Sequence, residues 1–205
     1  MRAVVLNCTL KPSPQTSSTE ALAKVVIAEL EKGGAEVELV RLVDLDIKPG
    51  VSGDEGGGDQ WPDVDRKLKA ADIVVFATPT WLGQMSSVAL RALERMDAWF
   101  GETDDTGRPV AFGKVAGIVV TGNEDGAHHI VATISQGLID MGFTIPAQSW
   151  TYWHLGPGPG PDYVETDQGH AYSDRVGRNA ARNLIALSKV LSKTTYPVPE
   201  SGDQG

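Results

Sequence analysis

Residues Ile73–Ser87 read IVVFATPTWLGQMSS. The first five are apolar without alternation, the pattern of a strand whose sheet is covered by helices on both faces. The residues after them are not ordinary polar filler. Pro79 restricts Thr78 to extended backbone and is expected to end the strand abruptly, while Gly83 admits a positive φ or the close approach of a flat ligand. Ser86 or Ser87 then caps a helix with the apolar stripe Met85, Ala89, Leu93, Met96 and Phe100. Buried strand, special loop and capped helix form one unit of an alternating α/β chain.

The unit recurs. Ala3–Cys8, Val37–Leu42, Val115–Thr121 and a weaker Phe143–Trp150 are short runs rich in Val, Ile, Leu and Phe, the composition of strands. Between and after them run helical stripes: Leu22, Val26 and Leu30; Ile130, Ile134, Leu138 and Met141; and, from about Ser173, Val176, Ala180, Leu184, Leu187 and Leu191. This alternation predicts a flavodoxin-like α/β fold, a five-stranded parallel sheet in the order 2-1-3-4-5 with helices on both faces. Such sheets bind ligands at the carboxyl ends of their strands, beside the point where strand order reverses. The loops after strands one, three and four are therefore the candidate site.

A chain of 205 residues, 41% of them hydrophobic and 22% charged, suits one domain, expected over residues 1–195, with 196–205 as a flexible tail. A net charge of -9 argues against a nucleic-acid partner, which would require a basic face. The single cysteine, Cys8, precludes an intrachain disulfide, an iron–sulfur cluster or a thiolate zinc site, and fits a reducing cytoplasm. The MRAVVLNC start is too brief for a signal core, and no apolar run reaches the ~18 residues of a membrane span. Two segments are irregular. GVSGDEGGGDQW (Gly50–Trp61) reads as a mobile acidic surface loop, and the Gly-Pro alternation of 156–161, inside LGPGPGPDY, excludes helix and strand. The latter either hangs over the crevice or is a solvent loop.

The first loop, NCTLKPSPQTSST (Asn7–Thr19), enters a helix starting near Ser17 to Glu20. A helix N-terminus offers unpaired N–H groups and positive potential. Thr9, Ser13, Thr16, Ser17, Ser18 and Thr19, with Lys11, surround that end. Capping accounts for one or two of these hydroxyls, and the surplus points to an anion such as phosphate. No Gly-x-Gly-x-x-Gly or Gly-Lys-Ser/Thr pattern is present. In the second loop Trp81 covers or edges a planar ring, or else packs in a core or interface, and Thr78 and Thr80 supply hydroxyls to the polar edge of such a ring. The third loop, TGNEDGAHH (Thr121–His129), places backbone amides between two glycines at the same crevice. His128 and His129 point about 100° apart on a helix, which disfavours chelation of one metal, and no metal site is expected.

Together, TLKPSPQTSST, PTWLGQMSS and TGNEDGAHH resemble the flavodoxin-like NAD(P)H-dependent FMN reductases and NAD(P)H:quinone oxidoreductases, and the flavin domain of iron–sulfur flavoproteins without its cluster cysteines. The resemblance covers residues 1 to about 150. It implies bound FMN, with NADPH or NADH as electron donor and a quinone, free flavin or similar small molecule as acceptor. It also implies a homodimer or homotetramer. Carried over by position, Thr9, Lys11, Ser17, Ser18 and Thr19 would hold the FMN phosphate. Pro79, Thr80, Trp81, Leu82 and Gly83 would flank the ring, and Thr121, Gly122, Asn123 and Gly126 would complete the site. Lys11 stands where an arginine is common. No nucleophile triad or carboxylate pair emerges, as expected when the flavin carries the redox chemistry; a proton for a quinone would come from water, His129 or His154. The alternative is a flavodoxin-type electron carrier without pyridine-nucleotide turnover, which the acidic charge fits.

Overall fold

The computed structural model describes residues 1–194 and 196–200. Five parallel strands form its centre: β1 (Arg2–Asn7), β2 (Glu36–Arg41), β3 (Ile73–Trp81), β5 (Val115–Thr121) and β6 (Trp150–Trp153). A two-residue strand β4 (Gln84–Met85) pairs antiparallel with the end of β3. The order β2-β1-β3-β5-β6 is the expected 2-1-3-4-5 once the extra hairpin strand is counted. Val5 at the middle of β1 faces Leu39 on one side and Val75 on the other, so strand order reverses around β1 and a crevice opens at its carboxyl end.

Helices α1 (Ser18–Lys32), α2 (Trp61–Ala70), α3 (Ser87–Met96), α4 (Ala127–Met141) and α5 (His170–Leu191) cover the sheet. One face packs Leu22, Val26 and Leu30 of α1 and Ala181 and Leu184 of α5 against Val5, Val75 and Val119. The other packs Leu68 of α2, Met96 of α3, and Ile130, Ile134 and Leu138 of α4 against Leu6, Phe76 and Ile118. Each such fully buried side chain contributes about 1.5–3 kcal/mol of transfer free energy. Among the described residues, no helix is long and apolar enough to cross a membrane.

Four local expectations change. Pro79 does not end its strand: β3 continues to Trp81, because Pro79 occupies the last parallel pairing, opposite Thr121, and Thr80 and Trp81 turn to the antiparallel partner β4. The fifth strand does not run over Phe143–Trp150. Thr144 makes one isolated bridge to Val115, Pro146 interrupts further pairing and Gln148 takes a φ of 50°, so β6 begins at Trp150. The stripe from Met85 to Phe100 is shorter than the spacing predicted. Met85 belongs to β4, and after Met96 a tighter 3₁₀ turn (Asp97–Gly101) changes the phase, burying Trp99 against Phe143 and leaving Phe100 exposed. The acidic Gly50–Trp61 loop is anchored by an arginine that the loop's own sequence does not announce. Arg95 of α3 pairs with Asp59 at 2.7 Å, both side chains wholly buried, and donates to the carbonyls of Lys48 and Ser52.

The expected tail begins at Tyr196, whose ring packs on Phe112 with centroids 5.2 Å apart and whose hydroxyl shares a 2.8 Å hydrogen bond with Thr144. Residues 201–205 of that tail lie outside the described residues.

Candidate functional site

At the carboxyl ends of β1, β3 and β5 lies a cavity of about 220 Å³. Three loops wall it, and a fourth segment closes over it.

The β1 loop contributes Thr9, Leu10, Lys11, Ser18 and Thr19. Its hydroxyls divide between structure and site. Ser17 is the N-cap of α1, its side chain accepting the Glu20 N–H at 3.1 Å, and it does not line the cavity. Ser13 turns away to Asp44, which accepts from its N–H at 2.8 Å and its hydroxyl at 2.6 Å. Thr16 is exposed. Thr19 shares a 2.9 Å hydrogen bond with Thr121, joining the first turn of α1 to the end of β5. The Ser18 hydroxyl oxygen is buried at the cavity with no partner. Buried polar atoms are rarely left unpaired, and this one lies beside the Ser18 and Thr19 N–H groups, which have no helical acceptor. Orphaned donors at the positive end of a helix fit a phosphate. Cys8 is buried below, and burial pushes its thiol far above the ordinary range, so it is inert.

The β3–β4 hairpin contributes Pro79, Thr80 and Trp81. Thr78 does not serve the cavity as the loop's sequence led us to expect. Its hydroxyl accepts the Ser86 N–H at 3.1 Å, while Ser86 caps α3 through the Ala89 N–H and donates to the Cys8 carbonyl at 2.6 Å. These bonds lock the hairpin's base to the end of β1. The tip stands outward: Trp81 is half exposed and Leu82 is 90% exposed, with Leu82 at φ 52° and Gly83 at φ 72°. Leu82 and Gly83 therefore form the rim rather than the lining. The tip is held by Glu124, which accepts the Leu82 N–H at 2.6 Å.

The β5 loop contributes Thr121, Gly122 and Asn123. Gly126 lies outside the lining but has a specific structural role. Its φ is 128°, and a Cβ there would stand 2.6 Å from the Gly83 Cα, so the start of α4 packs backbone to backbone against the hairpin tip. His129 and His154 also lie outside the cavity. With His128, Tyr152 and Asp125 they line a neighbouring recess, where His129 bonds Gln84 at 2.9 Å and His154 is paired with its own chain at Gly156. Among the described residues, no group of three or more His, Cys, Asp or Glu is arranged to hold a metal.

Asp162 and Tyr163 complete the lining, and sequence reasoning missed both, as it missed Leu10. They follow the Gly-Pro segment, whose residues 156–161 do not themselves line the cavity, although Gly158 packs close to the Asn123 carbonyl. The Asp162 carboxylate lies 3.4 Å from Lys11 Nζ and 3.5 Å from Asn123 Nδ2, spanning two walls. A capping box with Glu165 fixes a short 3₁₀ turn there, and the spacing Asp162-x-x-Glu165 is a signal that could have found it. Tyr163 stacks on His170 with centroids 3.7 Å apart and donates to Asp174 at 2.9 Å; burial, then that carboxylate, pushes its phenol well above the ordinary range.

Fold and site thus describe a doubly wound α/β protein in which one crevice joins a helix N-terminus lined by hydroxyls and Lys11 to an apolar rim. A family model described as NADPH-dependent FMN reductase matches residues 1–155, and the chain belongs to that family. The chain is 35% identical over 207 residues to the 8-demethyl-8-aminoriboflavin-5'-phosphate synthase of Streptomyces davaonensis, covering 96% of this chain and 80% of that protein. A crystal structure of RosB with bound 8-demethyl-8-formylriboflavin-5'-phosphate superposes with a TM-score of 0.89 at 33% identity, over 96% of this chain and 82% of that one. The NAD(P)H:quinone oxidoreductase from Methanothermobacter marburgensis shares the fold, with a TM-score of 0.63 at 17% identity over 90% and 96% of the two chains. The fold is flavodoxin-like, and the protein is a flavin-family enzyme.

Proposed function

We propose that the cavity binds riboflavin 5'-phosphate, FMN, and that the protein uses it to pass electrons from NADPH or NADH to a quinone, free flavin or similar small acceptor. The observation carrying the reading is the unpartnered Ser18 hydroxyl at the open end of α1, beside Thr9, Lys11 and Thr19. These residues, backed by the Ser17 cap, hold the phosphate. Thr80, Thr121, Gly122 and Asn123 take the polar middle of the ligand, and Pro79, Trp81, Leu82 and Gly83 flank the ring, with Gly126 supporting Gly83 from behind. At about 220 Å³ the cavity is smaller than the ~300–1,000 Å³ of a ligand pocket that encloses its guest, so the ring extends toward the exposed rim. When bound, the flavin supplies the redox chemistry, accepting electrons from a nicotinamide and releasing them to an acceptor. The chain's residues bind, orient and exclude water. Solvent, or His129 and His154 in the recess joined to the hairpin through Gln84, provides protons. A homodimer or homotetramer in the cytoplasm belongs to the same proposal, supported by the exposed apolar rim and the lone thiol.

A second reading treats riboflavin 5'-phosphate as the substrate to be modified at its 8-position. The identity of 35% to the Streptomyces synthase over almost the whole chain favours it. One experiment separates these readings and the electron carrier. The flavin-loaded protein is mixed with NADPH or NADH without oxygen, its absorption followed, and the flavin recovered for mass measurement. Bleaching on a catalytic timescale with unchanged flavin mass supports the reductase. Absence of bleaching, with altered flavin mass after incubation in air with amino donors, supports the second reading. Absence of both supports a carrier, and a protein that stays spectrally silent with FMN sinks all three.

A further inference from the structure

The loop that would receive the phosphate makes only short-range hydrogen bonds of its own, Lys11 N–H to Thr9 Oγ1 and Gln15 N–H to the Pro12 carbonyl. Between Thr9 and Ser17 it has no helix or strand of its own, and it carries two exposed prolines, Pro12 and Pro14. Apart from the half-exposed Lys11–Asp162 pair, its long-range fixed points come from the end of β2 and the turn after it, neither of which lines the cavity. Arg41, the last residue of β2, sends its guanidinium under the loop, where the side chain is only 12% exposed. One terminal nitrogen donates to the carbonyls of Lys11, at 3.3 Å, and Gln15, at 2.9 Å. The other pairs with the Glu20 carboxylate. Three residues further on, Asp44 holds Ser13 between those two carbonyls.

Glu20 makes this arrangement more than mechanical. It sits in the first turn of α1, the turn whose open N–H groups face the cavity, so its negative charge opposes any anion bound there. Asn7 donates to it at 3.1 Å and Lys24 pairs with it at 2.7 Å, but Lys24 is largely exposed whereas Arg41 is not. Burial alone would raise the Glu20 carboxyl; the hydrogen bonds from Arg41 and Lys24 outweigh it and hold the group ionised below the ordinary range. Only a planar guanidinium presents enough fixed donors for two carbonyls and a carboxylate together.

We propose that Arg41 is the positioning residue of the phosphate subsite: it fixes the Lys11–Gln15 backbone and cancels the Glu20 charge at the open end of α1 without touching the ligand. This role rests on the reading of the cavity as a riboflavin 5'-phosphate site. It ties Arg41 to one end of the ligand only, and that is what the test exploits.

Protein freed of flavin is titrated with FMN and with riboflavin, which lacks the phosphate, by fluorescence quenching, for wild type, Arg41→Lys, Arg41→Met and the double variant Arg41→Met/Glu20→Gln. Wild type should prefer FMN. Arg41→Met should lose about tenfold or more in FMN affinity, the scale of a charge-assisted contact, with riboflavin changed less than about twofold. Arg41→Lys should fall between, and the double variant should regain part of the FMN preference because no uncompensated carboxylate remains. A general structural defect would weaken both flavins alike, and that result overturns the proposal, as does an Arg41→Met or Arg41→Lys variant with the full FMN preference. If wild type binds FMN no better than riboflavin, the phosphate reading fails and takes the Arg41 role with it. If wild type discriminates and the variants keep its full FMN preference, the Arg41 role alone fails.

Discussion

Replacing Arg95 should cost this protein more stability than any change on its surface, and the size can be worked out from the surroundings. The guanidinium lies 2.7 Å from Asp59 with neither side chain exposed, donates to the carbonyls of Lys48 and Ser52, and sits 5.6 Å over the Trp61 ring. Asp59 in turn accepts the N–H groups of Lys48 and Trp61, each at 3.1 Å, and of Glu55 at 3.1 Å. Arg95→Met keeps most of the volume and leaves a buried carboxylate without its cation, a loss of ~3–5 kcal/mol. For a chain of this length each kcal/mol moves the melting temperature by ~2–4 °C, so a drop of roughly 6–20 °C is expected. The acid limb gives an independent reading. Burial acts to raise the Asp59 carboxyl, but the hydrogen bonds from Glu55, Arg95, Lys48 and Trp61 lower it from 3.8 to about 2. A depressed folded pKa stabilises above the unfolded value and loses that stabilisation as pH falls from about 3.8 through about 2, a contribution of about 2 kcal/mol. Melts followed by circular dichroism at pH 7, and at steps between pH 2 and 5, should show the drop in Arg95→Met and a shallower acid limb in Asp59→Asn. The double variant should lose less than the sum of the singles. A melting temperature within about 3 °C of wild type for Arg95→Met, or an unchanged acid limb in Asp59→Asn, refutes the reasoning.

The cavity walls lead to two further outcomes. Asp162→Asn removes the lone carboxylate of the lining, whose pairing with the half-exposed Lys11 is worth at most ~1 kcal/mol, so FMN should bind up to about fivefold tighter at low salt, with the gain fading at high salt and riboflavin unaffected; calorimetric titration checks this, and weaker FMN binding would make Asp162 a ligand contact instead. Gly126→Ala introduces a Cβ 2.6 Å from the Gly83 Cα at a φ of 128°, which should cost ~1–3 kcal/mol and detach the hairpin tip; a normal melting temperature with undiminished flavin binding would show that the tip and α4 do not need each other.

What was legible in the chain was what lies close together along it. The alternation of apolar runs and helical stripes carried the fold because each element buries its own side chains, and the sheet order came from strand count. Thr9, Lys11, Ser18, Thr19, Pro79, Thr80, Trp81, Thr121, Gly122 and Asn123 were found because they belong to loops that leave the sheet at one end, and all ten line the cavity. The boundaries failed where a local rule met a pairing partner: Pro79 breaks a strand only if its missing N–H is needed, and at the last parallel rung it is not.

The residues that escaped detection act over sequence distance. Asp162 faces Lys11 across 151 positions, and Arg95 reaches back 43 to the Ser52 carbonyl. Arg41 takes hold of Gln15 and Lys11 from 26 and 30 positions downstream. Each is a charge buried or spent on another segment, and composition shows charge without showing whom it meets. The hydroxyl surplus of the first loop illustrates the same division. Of its serines and threonines, Ser17 caps a helix, Ser13 is claimed by Asp44, and Thr19 is shared with Thr121; the Ser18 hydroxyl is the one left unpaired at the cavity. Counting hydroxyls therefore pointed to a loop that does line the cavity, while overstating how many of them face it. The shape of that loop depends on Arg41 and Asp44, which stand outside it and outside every motif in it.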